Sequence, residues 1–220
     1  MIRGLASLAL ILVVTGCGGS SATAAPGVPD ASPLPAGTYT SSAFQPPVTY
    51  TLPDGWTLAA DTAAYLQLHP VETDLMGLHL FRDVVAASQD PACPTSAEPG
   101  VGQTSTELVT WMRGLPGLTV SAPVMVTVGG LRGTAVDIAI APGWTQSCSF
   151  ANGLPTVPLL TNGADLRWVV AGSERLRLYV LDVPGGGTVI ADLDAFDGDL
   201  YGPLIDAGVP IVKSLQFATG

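Results

Sequence analysis

Four carboxylates crowd one short stretch near the C-terminus: Asp192, Asp194, Asp197 and Asp199, with Gly198 between the last two. Oxygen-rich loops hold Ca²⁺, and alternating aspartates closing on Asp-Gly suit such a loop. The spacing departs from an EF-hand, because Phe196 stands in the third ligand slot and no glutamate follows Gly198. The plainer reading puts Asp192 and Asp194 on the solvated side of a strand and lets Asp197 or Asp199 cap the helix that follows. Carboxylates that face each other across a cleft also drive hydrolysis, and this cluster is the only material here for a carboxylate-based hydrolase.

Other chemistry is sparse. The two histidines, His69 and His79, each stand beside leucines in strand-like segments. Paired as a hairpin, those strands would set both rings on one face, with Glu72 and Asp74 in the loop completing a weak zinc or copper site; two ordinary strand histidines is the alternative. There is no Gly-x-Ser-x-Gly elbow and no Walker-type loop, and Gly129-Gly130-Leu131-Arg132-Gly133 lacks dinucleotide spacing and reads as a turn. The expectation is a protein without cofactor or catalytic set. Among four tryptophans, Trp111 and Trp168 sit in apolar patterns that suit a core. Trp56 and Trp144 each follow a glycine in a turn and are the better platform for a carbohydrate or apolar ligand.

A single positive charge at Arg3, an apolar run from Leu5 to Val14 and the close Val14-Thr15-Gly16-Cys17 form a leader too short to span a bilayer as a helix. The last four residues resemble the lipobox of bacterial lipoproteins. That resemblance implies cleavage before Cys17, a diacylglyceryl group on its sulfur, and a protein held on the extracytoplasmic face of the cell membrane by acyl chains. Two or more chains anchor firmly where one binds only reversibly. An ordinary cleaved signal and a buried N-terminal helix are the alternatives. With Cys17 given to lipid, Cys93 and Cys148 remain, and in an exported chain they are expected to form a disulfide; free thiols or metal ligands are the alternatives.

Removing residues 1–16 takes away Arg3 and no acid, leaving 7 basic against 18 acidic side chains, a net charge of −11. Such a surface repels nucleic acid and anionic headgroups, so lipid and not a basic patch must hold the protein at the membrane. The expected partners are the bilayer and an unidentified protein or small-molecule ligand. Residues 18–36 carry prolines and small polar residues without apolar periodicity and read as a tether. Residues 37–220 are then one domain.

The elements that would position these side chains alternate strand and turn. Tyr39 and its neighbours, Val48–Leu52, Tyr65–His69, Gly77–Arg82, a hairpin of Val124–Val128 with Thr134–Ala141, Leu166–Ala171, Leu176–Val183 and Thr188–Leu193 read as strands. Thr104-Ser105-Thr106-Glu107 predicts a capped helix ending at Pro116-Gly117. A short helix over Leu200–Ala207 and a terminal strand over Val212–Phe217 close the pattern. This order implies an α+β antiparallel sandwich with two helices packed on the sheet. The Pro53-Asp54-Gly55-Trp56 turn and the late helix feeding Ser214-Leu215-Gln216-Phe217 resemble the PsbP-like sandwich and the LpqN-type lipoproteins of actinobacteria. The resemblance implies an accessory or binding role and transfers no catalytic residue. The functional expectation is a membrane-anchored, non-catalytic binding or accessory module, with a structural role in an envelope complex and a carboxylate-based hydrolase as alternatives.

Overall fold

The computed structural model describes residues 33–218. The leader, Cys17 and most of the tether lie outside the described residues. The body begins ahead of Gly37, since Leu34 bridges to Trp56 and the Ala36 N–H donates to Asp54.

The chain runs through β1 (Gly37–Ser41), β2 (Val48–Leu52), β3 (Trp56–Asp61), β4 (Tyr65–Pro70), β5 (Met76–Arg82) and β6 (Val85–Ala86) into helix α1 (Ser105–Gly114). There follow β7 (Leu118–Val120), β8 (Val124–Val128), β9 (Leu131–Ile140), β10 (Thr156–Thr161), β11 (Arg167–Ala171), β12 (Arg175–Asp182) and β13 (Thr188–Ala195). A 3₁₀ turn at Gly198–Leu200, helix α2 (Tyr201–Ser214) and β14 (Gln216–Phe217) complete it.

The central sheet has the order β3-β4-β5-β13-β12-β9-β7, with β8 paired to the other half of β9, and every pairing is antiparallel. One face is covered by α2 and the small sheet β1-β2-β14; the other by α1 and the small sheet β11-β10-β6. The result is a three-layer α+β sandwich. Strand periodicity sorts the two cores: Val189, Ala191, Leu193 and Ala195 of β13 face the α2 layer, while Ile190 faces the α1 layer with Leu176, Leu178 and Val180 of β12.

Local chemistry explains the helices. Thr104 and Glu107 form a reciprocal capping box at the start of α1. The next residue, Ser105, donates through its N–H and hydroxyl to the Asp182 carboxylate, at 2.7 and 2.6 Å, which pins α1 to the end of β12. Helix α2 runs seven residues past the predicted end, through Pro210, and the predicted strand shrinks to Gln216–Phe217. Tyr201, Leu204, Gly208, Ile211 and Val212 make its buried stripe. A Cβ on Gly208 would lie 2.5 Å from a Leu193 methyl, so glycine permits that close approach to β13.

Candidate functional site

Two loops on the α1 side, around 87–97 and 141–155, are joined by a disulfide between Cys93 and Cys148, with Cα atoms 5.7 Å apart. Both loops lack long strands, so the bridge and local hydrogen bonds hold their shape. Trp144 is fixed at their base. Its indole N–H donates to the Thr156 carbonyl at 3.1 Å, and its ring lies over Gly117, where a Cβ would approach the ring to 2.7 Å.

Between the loops runs a groove of about 540 Å³, lined by Trp144, Gln146, Ser147, Gln89, Asp90 and Pro116, with Cys93 at its edge. Gln89 is itself preset: its amide donates to the Ala87 and Pro158 carbonyls, and its backbone N–H donates to Glu98. An aromatic ring flanked by amides, a hydroxyl and one carboxylate suits a neutral polar ligand that presents an apolar face. Trp56, the other expected platform, is only 3% exposed and belongs to the core under α2. The turn before it is exposed, but Trp56 opens β3 and its ring points inward.

The aspartate cluster is divided by the fold. Asp192 and Asp194 face the α1 layer; Asp192 is fully buried, against the expectation of a solvated strand face. The physical reason is that β13 lies at the centre of a sheet covered on both sides, so neither of its faces meets water. Asp197 stands beyond the strand and caps the 3₁₀ turn by accepting from the Asp199 N–H. Among the described residues, no group of three or more His, Cys, Asp and Glu side chains is placed to hold a metal ion. The fold thus places Asp192 inside the sandwich and Asp197 in the exposed turn beyond the strand.

What Asp192 and Asp194 do meet was not visible in the spacing. Glu174, from the β11–β12 turn, is buried against Asp194, and its Oε2 accepts from the Ala171 N–H at 2.7 Å. Asp192 Oδ2 accepts from the Trp168 indole at 2.7 Å, while Asp192 Oδ1 and Asp194 Oδ1 have no partner. Burial pushes all three acids up; the Asp194 charge adds to this at Glu174 and at Asp192. The charge of Asp194 and its hydrogen bond with Glu174 favour the proton on Glu174. These carboxyls lie against each other and not across a cleft, which is not the arrangement glycoside hydrolysis requires.

The histidines border the same cluster. Strands β4 and β5 pair, and His69 and His79 flank Gly77 on one face. Their ring nitrogens are engaged elsewhere: His79 Nδ1 with the Tyr65 hydroxyl and His69 Nδ1 with the Pro70 carbonyl, both at 2.8 Å. Burial drives His79 down to about 3, so it is neutral. Glu72 and Asp74 stay in the exposed loop and do not join the rings in a metal group.

On the opposite face of the sheet stands a second polar cluster that the sequence pattern did not mark. Arg177 donates to Asp137 through Nε at 2.6 Å and Nη2 at 3.0 Å, and the Tyr201 hydroxyl donates to Asp137 at 2.7 Å. Burial acts to raise Asp137, yet the hydrogen bonds from Arg177 and Tyr201 and the arginine charge override it and hold the carboxyl below its ordinary range. Arg175 stacks over the Tyr201 ring at 4.3 Å.

No family model matches the chain, and no curated protein is similar to it. Solved structures with a similar course of the chain include LpqN of Mycobacterium tuberculosis, described as involved in cell envelope biogenesis. It is 18% identical, with a TM-score of 0.40 over 86% of this chain and 90% of that one. They also include the cyanobacterial PsbP of Synechocystis, 9% identical with a TM-score of 0.43 over 83% of this chain and 93% of that one. A protein from Bacteroides thetaiotaomicron is 7% identical, with a TM-score of 0.38 over 78% of this chain; the match spans 45% of that longer chain.

Proposed function

We propose that this chain is a lipid-anchored, extracytoplasmic binding module, without catalysis of its own, whose ligand lies in the groove over Trp144. The observation that carries the reading is the groove itself: an aromatic floor, the preset amide of Gln89 and a disulfide-stapled wall. The anchor rests on the Val14-Thr15-Gly16-Cys17 motif, and a disulfide in the body suits an oxidising compartment. Among the described residues no helix is long and apolar enough to cross a membrane.

The ligand class that fits is a sugar ring or a similar neutral molecule, with one face stacked on Trp144 and its hydroxyls paired with Gln146, Gln89 and Asp90. Calorimetric titration with neutral oligosaccharides of glucose and of N-acetylglucosamine tests it. Saturable binding that Trp144→Ala abolishes is expected; binding that survives this substitution, or none across the panel, overturns the assignment. Palmitate labelling that disappears in Cys17→Ala tests the anchor separately.

A further inference from the structure

On the α2 side a second groove, of about 400 Å³, runs between the β8–β9 hairpin and the C-terminal half of α2. Its walls are Val124, Val126, Ala135 and Val209, and its rim carries Arg177 and Lys213. Among the described residues the outer wall is open: Val124 is 60% exposed and its neighbour Met125 is 77% exposed, on a strand without a charged residue. A solvent-facing apolar wall of this kind marks a contact site when it adjoins a cavity.

Charge identifies the occupant. The protein carries a net charge of −10 with 8 Lys and Arg residues, yet Arg175, Arg177 and Lys213 converge around this groove and the hollow beside it. The one carboxylate in the lining, Asp137, is already spent on Arg177 and Tyr201. Arg177 gives Asp137 two of its five N–H donors, which leaves others for an incoming anion. Lys213, in the last turn of α2, is exposed.

We propose that this groove binds a single-chain amphiphile with an anionic head, the chain against Val124, Val126 and Val209 and the head between Arg177 and Lys213. The volume falls in the range of small-molecule sites, and an apolar trough ending in cations selects an anionic over a cationic amphiphile of equal length. The groove is separate from the one over Trp144, so the two assignments stand or fall independently.

The test uses the full chain and two probes of matched length, dodecanoate and dodecyltrimethylammonium, titrated calorimetrically below their micelle concentrations. Dodecanoate is expected to bind saturably at one site, and the ammonium probe not to. Lys213→Glu and Val124→Asp, both at exposed positions, should each weaken dodecanoate at least roughly tenfold while melting stays near that of the parent, and Trp144→Ala should leave it unchanged. Equal binding of the two probes, no dodecanoate binding, or dodecanoate binding insensitive to both groove variants would overturn the proposal.

Discussion

Strands β9 and β13 present carboxylates to opposite faces of one sheet, and the two faces treat them oppositely. Toward α2, Asp137 of β9 receives Arg177 and Tyr201 and stays charged. Toward α1, Glu174, Asp192 and Asp194 receive one indole and one backbone N–H between them and are pushed toward the protonated form. Burial raises the acids at both sites, but Asp137 is the shallower and the better paired, so depth and partners together set the contrast. Asp137 on the α2 face is held toward the charged form, and the Glu174, Asp192 and Asp194 group on the α1 face toward the protonated form. The neutral groove lies on the proton-holding side and the cationic groove on the other.

The largest effect belongs to the staple of the α1 side. Cys93→Ser with Cys148→Ser opens a loop with a sequence separation of 55 and should cost about 4 kcal/mol on the chain-entropy model. For a body of this size that lowers the melting temperature by roughly 8–16 °C, and sugar binding at Trp144 should be lost with it.

Next comes the acid cluster. Raised acids bind protons more tightly in the folded than in the unfolded state, so their contribution is full at low pH and is lost as pH rises above the ordinary carboxylate range. Melting temperature should therefore fall between pH 5 and pH 8. Glu174→Gln, which fixes the neutral form, should flatten that slope and raise stability at pH 8 by on the order of 1–3 kcal/mol. A parent whose melting is flat across this interval, or a variant that melts lower at pH 8, would break the contrast between the faces.

The smaller effect lies on the α2 side and has the opposite sign. Asp137 is held low, so its contribution is full above the ordinary carboxylate range and is lost as pH drops through the lowered value. Arg177→Met should cost about 1 kcal/mol at pH 7. The figure is modest because the Asp137 side chain is 37% exposed and solvent screens the pair. The cost should shrink steadily as pH is lowered from the ordinary carboxylate range through that lowered value, as read by urea unfolding over a series of acid pH values.

Much of the frame was legible in the sequence. The capping box at Thr104 and Glu107, the alternating strands and the pairing of Cys93 with Cys148 all appear in the structure, and so does the α+β sandwich. Two of the differences come from tertiary burial. Asp192 and Asp194 look like a solvated edge by alternation alone, and only the central place of β13 puts them inside. The helix expected over Leu200–Ala207 continues through Pro210 to Ser214, because its apolar stripe still packs on β13 and β2. Strands β3, β6, β7 and β10 lie outside the expected set: β3 is hidden behind the Trp56 turn, β6 and β7 are only two and three residues long, and β10 is a Pro-containing run, Thr156–Thr161. The Glu174 and Asp137 clusters could not be seen, because each joins residues far apart in the chain through strand register.

The central claim, that ligand enters over Trp144, is met most directly by following the four tryptophan indole N–H resonances during titration with a neutral oligosaccharide. The account predicts a saturable shift of the Trp144 signal, with the buried Trp56 signal and the Asp192-bound Trp168 signal unmoved. A titration that moves Trp56 or Trp168 and leaves Trp144 in place would contradict it.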